Sequence, residues 1–138
     1  MAAFTKFNSF VEAVAEKVHN LGADTLKILL TLTAPVAANT VKADLTEIAA
    51  GNGYTAGGAD AQCTYSQTSG TGNLAGTDIV FTASGGSIGP FRYAVLYNDT
   101  PTSPADPLIG WWDYGSSITL LTGETFTVDF GATIATIA

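Results

Sequence analysis

The sequence contains few charged residues, one cysteine and one histidine. Charged residues make up 12% of the 138 residues, about half of the share that is usual in globular proteins. This scarcity argues against a coiled coil, which needs many Glu, Lys and Arg residues, and against a disordered chain, which is rich in charge. The single cysteine, Cys63, excludes an intrachain disulfide and a zinc site built from cysteine pairs. It lies in an alternating segment, so we expect a small, buried side chain.

Basic residues are the scarcest charged class, and they are unevenly placed. Five Lys and Arg residues face twelve Asp and Glu residues, the net charge is −7, and only Arg92 follows residue 42. Because nucleic-acid affinity depends on phosphate neutralisation, we expect no nucleic-acid partner. No apolar run approaches the roughly 20 residues that cross a bilayer, so we expect no membrane partner. Residues 1–10 lack the pattern of a signal peptide, which predicts synthesis in a cytoplasm.

Apolar residues and glycine are abundant instead. Hydrophobic residues make up 46% of the chain, and 15 residues are glycine. A chain of this length buries a substantial core without disulfides, which predicts a single domain over residues 1–138. The pattern along the chain divides this domain into a helix over residues 8–21 and a β-rich body over residues 25–138.

The predicted helix has a start signal and one apolar stripe. Ser9 and Glu12 have the spacing of a capping box, and Gly22 is a typical residue after a helix end. His19 falls on the predicted polar side. The stripe consists of Phe7, Phe10, Val11, Val14, Val18 and Leu21. Such a stripe packs on its own domain or docks on a partner protein, and both interpretations stay open.

The remaining chain reads as strands. Residues 25–33 alternate, with Leu26, Ile28, Leu30 and Leu32 on one face and Leu29 among polar residues on the other. From residue 61 onward the pattern has period two, with strands predicted over 61–68, 78–83, 91–97, 108–114, 117–121, 125–130 and 133–138. Residues 70–76 and 115–116 are predicted turns. About eight strands at this spacing predict a mainly β fold, an antiparallel β-sandwich or jelly roll with one N-terminal amphipathic helix.

A long segment near residues 36–60 lacks a strong pattern. Residues 51–58 are rich in Gly and Asn, which tolerate positive φ angles, and they include Tyr54. Long irregular segments are uncommon in compact domains and are often functional or become ordered on a partner.

Candidate catalytic groups are sparse. The one imidazole, His19, has no neighbouring nucleophile in the pattern, and the Gly-rich residues 84–90 match neither a nucleophile elbow nor a phosphate loop. We therefore expect no enzymatic activity, no cofactor and no metal. Asp99, Asp106 and Asp113 are either calcium ligands or, more simply, solvated acids, since the EF-hand spacing is absent.

The most unusual segment is Trp111, Trp112, Asp113 and Tyr114. Adjacent strand residues face opposite ways, so one tryptophan fills the core and the other lies on the outer face. There it is covered by the domain, anchors a protein interface or stacks on a sugar. Arg92 is expected to pair with Asp78, Asp113 or Asp129.

Several segments resemble small tailed-bacteriophage proteins. They are residues 81–99 (FTASGGSIGPFRYAVLYND), 107–115 (PLIGWWDYG) and 123–130 (GETFTVDF), together with the shorter segments 20–24, 33–35 and 47–54. The chain is similar over nearly its whole length to virion structural proteins of the capsid decoration or cement type. Such proteins sit on the outer shell and bridge capsomers. The shared motifs carry no chemistry, so the resemblance supplies no catalytic residue.

The resemblance implies a non-enzymatic protein that binds the major capsid protein on the outer capsid surface and stabilises the shell. The alternatives are a tail-associated protein (tube, tip or fibre component) and a carbohydrate-binding module. Because low charge leaves strand edges unprotected, we also expect self-association as a dimer or trimer. The residues predicted for partner contact are Phe10, Val14, Tyr54, Trp111, Trp112 and Tyr114.

Overall fold

The computed structural model describes residues 2–138, so Met1 lies outside the described residues. This part of the chain contains one α-helix and ten strands, and the predicted mainly β class with one N-terminal helix is confirmed. The helix α1 spans Ser9–Ala15. The strands are β1 Phe4–Lys6, β2 Leu26–Thr31, β3 Ala59–Asp60, β4 Thr64–Thr68, β5 Thr71–Ala75, β6 Ile79–Thr82, β7 Ile88–Asn98, β8 Leu108–Leu120, β9 Thr125–Val128 and β10 Ala135–Ile137.

The strands form three antiparallel units. The main sheet has the order β1-β8-β7-β2-β3, a smaller sheet has the order β10-β5-β4, and β6 and β9 form a two-stranded ribbon. Leu74 of β5, Phe81 of β6 and Val128 of β9 share one core cluster with residues of β2 and β7. The smaller sheet and the ribbon therefore cover one face of the main sheet, which is the layered arrangement expected of a sandwich.

Two hydrophobic clusters lie on opposite faces of the main sheet. The large cluster fills the sandwich and takes Leu26, Ile28 and Leu30 from β2, as predicted. The small cluster consists of Phe7, Leu29, Val95, Tyr97 and Leu108, with Leu45 packed against it. Leu29 is fully buried, so the polar face of β2 is covered as its sequence indicates. Leu32 lies beyond the end of β2 and is 45% exposed.

The helix is shorter than the predicted 8–21. It ends at Ala15 because Lys17 adopts a φ of 66°, which a continuing helix does not allow. The predicted capping box is absent, since the helix already includes Ser9 and its N-cap residue, Asn8, makes no side-chain capping bond. Residues 17–25 turn instead and still bury Leu21, which explains why the apolar spacing continued beyond the helix.

Two predicted turns and the predicted side of Phe91 also change. Residues 70–76 are not a turn, because Thr71–Ala75 pairs with β4 around a two-residue turn at Ser69 and Gly70. Residues 115–116 lie inside a single strand β8, where a bulge with Gly115 at a φ of 88° replaces the turn. Alternation over the predicted strand 91–97 places Phe91 on the same face as Tyr93, Val95 and Tyr97. A register shift between Phe91 and Tyr93 turns Phe91 to the large cluster instead.

Candidate functional site

The six residues predicted for partner contact fall into two groups. Phe10, Tyr54 and Trp112 are buried, with 4%, 2% and 4% of their surfaces exposed. They pack in the large cluster, so the contact role predicted for them is corrected to a role in the core. Val14, Trp111 and Tyr114 are half-buried and keep some surface, and for them partner contact stays a prediction.

The two tryptophans face opposite ways, as the strand pattern predicts. Trp112 lies in the large cluster, with ring centroids 5.2 Å from Phe4 and 5.5 Å from Phe130. Trp111 lies on the other face, where its ring centroid is 4.6 Å from that of Phe7. Aromatic neighbours therefore cover both rings, and only Trp111 keeps a part of its surface for an outside contact.

The long segment near residues 36–60 is ordered by a carboxylate that the sequence pattern did not single out. Glu47 Oε2 accepts hydrogen bonds from the Tyr54 hydroxyl at 2.5 Å and from the Gly57 N–H at 2.7 Å. The Tyr54 oxygen in turn accepts the Leu30 N–H at 3.1 Å, and the Tyr97 hydroxyl donates to the Gly57 carbonyl. Burial, followed by the bond to Glu47, raises the pKa of Tyr54 well above its ordinary value, so the hydroxyl stays a donor. The segment is thus held on β2 by Tyr54 and on β7 by the Tyr97 hydroxyl.

The sequence predicts His19 on the polar side of a helix, but the side chain is buried, with 6% of its surface exposed. The Asn98 amide nitrogen donates to Asp24 Oδ2 at 2.7 Å and lies 3.1 Å from His19 Nδ1. An amide N–H is a donor, so Nδ1 accepts and the proton of the neutral ring is on Nε2, a buried atom without a partner. Burial lowers the pKa of His19, although the Asp24 charge acts in the opposite direction. The only sequence signal for this network is a polar residue, Asn98, directly after the predicted apolar strand 91–97.

A groove of about 800 Å³ opens beside this network. The residues that surround it come from the turn after α1, from the loop after Asn98 and from the smaller sheet. Its apolar wall includes Val14, Leu21, Tyr65, Pro101 and Ile137, and polar side chains such as Asp24 and Thr102 line it as well. The groove is a concave and partly apolar surface. The His19 imidazole beside it is hydrogen-bonded to Asn98 within the fold.

Two of the three candidate calcium ligands, Asp99 and Asp113, are each paired with a basic side chain. Arg92 makes two hydrogen bonds to the Asp113 carboxylate, at 2.8 and 3.0 Å, which identifies the partner among the three predicted acids. Asp99 Oδ2 lies 2.9 Å from Lys27 Nζ. Within residues 2–138, no group of three or more His, Cys, Asp or Glu residues is placed to hold a metal ion.

Cys63 packs against the large cluster but is only half-buried, whereas the sequence predicts a buried side chain. Burial, followed by the charge of Asp60, raises the pKa of the Cys63 thiol to about 12. The group therefore stays protonated at neutral pH, when a thiol is a weak nucleophile.

Three aliphatic side chains of α1 and of the segment after β2 are exposed. Val11, Leu32 and Val36 are 55%, 45% and 55% exposed. The Asn8 N–H donates to the Ala37 carbonyl at 2.9 Å, which fixes the helix start against the segment after β2. Val11 lies three residues after Asn8 and therefore on the same side of the helix. We call Val11, Leu32 and Val36 the N-terminal apolar surface.

No helix within residues 2–138 has the length and the apolar character that crossing a membrane requires.

Comparison with known proteins found no matching family model, no matching curated protein and no matching solved structure.

Proposed function

We propose that the chain is a non-enzymatic structural protein of a tailed-phage virion, a capsid decoration protein that binds the outer shell and stabilises it. The resemblance of residues 81–99, 107–115 and 123–130 to such proteins suggests the class. The N-terminal apolar surface is the observation that carries the proposal, because it exposes apolar side chains of the helix and of the long segment, for both of which the sequence leaves a partner contact open.

The composition of this surface favours a protein partner. Its three aliphatic side chains come from α1 and from residues 32–36, and residues 28–41 contain no charged side chain. Apolar side chains that cluster at a surface mark contact sites, since their burial releases water at little desolvation cost. The major capsid protein is the partner that the proposal assigns to this surface.

Hydrogen bonds in the surrounding segments order this surface, which also supports its role as a contact surface. The Asn8 bond to Ala37 holds the helix against the segment after β2. The Val41 N–H and the Thr40 N–H both donate to the Asp44 carboxylate, which shapes the next turn. A contact surface that is ordered before binding loses less conformational entropy when a partner covers it.

Binding to capsids tests the proposal directly. Capsid shells assembled without this protein are mixed with it, sedimented and heated. We expect the wild-type protein to sediment with the shells and to raise their melting temperature. Replacement of Val11→Asp together with Val36→Asp places two charges in the contact, and binding should weaken by about tenfold or more.

A matched control is available on the ribbon. Val80 of β6 is 56% exposed, which is close to the 55% of Val11, but it lies outside the N-terminal apolar surface. The Val80→Asp variant should therefore bind shells like the wild type. Failure of the wild-type protein to bind any shell would reject the proposal, and equal binding of all three proteins would reject the assigned surface.

Immunogold labelling of whole particles separates the shell from the tail. Label on the shell supports a decoration protein, whereas label confined to the tail replaces the proposal by the tail-associated alternative. The carbohydrate-binding alternative relies on an open tryptophan ring, and here Trp112 is buried and Phe7 packs against Trp111.

A further inference from the structure

Strand β4 forms an open edge of the smaller sheet. It pairs with β5 from Thr64 to Thr68, and no other described strand pairs with it. Four of its five residues are exposed, and Tyr65 is half-buried. The edge therefore faces solvent along its length.

The turn geometry shows which backbone groups point outward. Ser69 and Gly70 have φ angles of 52° and 83°, the sign pattern of a type I′ turn, in which the flanking residues Thr68 and Thr71 form a hydrogen-bonded pair. Hydrogen bonding alternates along an antiparallel strand. The N–H and C=O groups of Thr64, Ser66 and Thr68 therefore turn to β5, and those of Tyr65 and Gln67 point to the open edge.

This edge lacks the features that usually protect an edge strand. Proteins block edges with charged side chains, proline, bulges or very short strands. The main sheet follows this rule, since β1 is three residues long and carries Lys6, and β3 is two residues long and carries Asp60. By contrast, β4 is regular, and residues 61–77 contain no charged residue and no proline.

We propose that β4 pairs antiparallel with β4 of a second copy of this chain, about a two-fold axis at Ser66. The pairing extends the smaller sheet from three strands to six. Tyr65 of each copy then lies opposite Gln67 of the other, and the outward N–H and C=O groups of these residues bond to each other.

The side chains of β4 suit pairing with themselves. About the axis at Ser66, serine lies opposite serine and Thr64 opposite Thr68, so hydroxyl groups face hydroxyl groups on the outer face. Each copy carries a net charge of −7, which opposes association of two copies in general. The hairpin of β4 and β5 carries no charged residue, so two copies that pair through β4 place no like charges of this hairpin opposite each other. A second copy is therefore the occupant that the charge distribution favours.

The two-fold axis provides a sharp test at one position. Since Ser66 lies opposite itself, the Ser66→Lys and Ser66→Glu variants each place two like charges together. We expect a wild-type dimer by sedimentation velocity, and a dissociation constant at least about tenfold higher for either variant. An equimolar mixture of the two variants places Lys opposite Glu, so native mass spectrometry should show the mixed dimer restored.

Ser116 provides a matched control, because it is an exposed serine in the bulge of β8. Ser116→Lys should leave the dimer unchanged. Position 66 is exposed, so at protein concentrations where the wild type is monomeric the thermal melts of all variants should resemble that of the wild type. A monomeric wild-type protein at high concentration, a dimer that resists both Ser66 variants, or a folded mixture that stays monomeric would each overturn the proposal. Capsid binding is measured separately and through another surface, so the two proposals fail independently.

Discussion

Single polar side chains fix the irregular segments of this protein. Glu47 joins Tyr54 and Gly57, and Asn98 joins the turn after α1 to the end of β7 through His19 and Asp24. Most buried polar groups in folded proteins are hydrogen-bonded, and these bonds commit each of these residues to one arrangement of its neighbours. The long loop and the turn after α1 thereby gain fixed positions.

The His19 network predicts loss of stability in mild acid. The folded protein holds the pKa of His19 below its ordinary value of 6.5, so the unfolded chain takes up the proton first as the pH falls. This contribution to the free energy of unfolding is complete above about pH 6.5 and is lost as the pH falls below it. A protonated ring also places Nδ1–H against the Asn98 amide, two donors that repel. We expect the melting temperature to drop between about pH 7.5 and 5.5.

His19→Asn is the control for this prediction. The asparagine oxygen can occupy the place of Nδ1 and accept from Asn98, but it does not titrate. The chain has one histidine, so few other groups change charge in this window. If the wild-type protein and the His19→Asn variant show the same pH dependence of melting, protonation of His19 is not the cause of the loss of stability.

At the scale of elements, the structure depends on close approach between backbones. Short strand β3 lies against β2, with Ile28 opposite Ala59. Gly58, just before β3, has a φ of 81°, and a Cβ atom there would lie 1.7 Å from the Ile28 carbonyl oxygen. A side chain at this position must separate the two strands.

Gly58→Ala is therefore expected to destabilise the protein strongly. Gly85→Ala separates the cost of the backbone conformation from the cost of the steric clash. Gly85 has a similar φ of 75°, but no atom lies within 4 Å of its added Cβ. The left-handed conformation alone costs about 1–2 kcal/mol, which is the loss we expect for Gly85→Ala by chemical denaturation. The Gly58→Ala variant should lose clearly more of its free energy of unfolding, or it should fail to fold. An equal loss for the two variants would show that β3 moves away freely.

At the scale of the whole molecule, the two clusters share their central strands. On β2, Leu29 faces the small cluster while Ile28 and Leu30 face the large one, and β7 divides its residues likewise between Val95 and Leu96. Neither cluster can lose these strands without disrupting the other. We therefore expect a single cooperative unfolding transition.

The two tryptophans report on the two clusters separately. Trp111→Phe leaves Trp112 as the reporter of the large cluster, and Trp112→Phe leaves Trp111 as the reporter of the small one. In each variant, the fluorescence transition should coincide with the far-ultraviolet circular dichroism transition. A fluorescence change that precedes the loss of strand signal in either variant would contradict shared unfolding.

Local pattern and tertiary context explain which predictions hold. The alternation of β2 and the opposite faces of Trp111 and Trp112 follow from the period of a strand and are confirmed. The side of Phe91 and the long β8 are not predictable in this way, because bulges change the alternation without a strong local signal. The helix is too long in the prediction, since a turn that buries Leu21 continues the spacing that a helix would show.

The sequence by itself determined the class of the protein: apolar alternation, abundant glycine and scarce charge allow little besides an antiparallel β fold with one amphipathic helix. It also determined that residues 61–77 carry no charge. Only the tertiary structure decided that His19 is buried, that Glu47 orders the long loop, and that β4 lies at an open edge. Contacts between residues far apart in the chain decide burial and strand order, and no local pattern contains them.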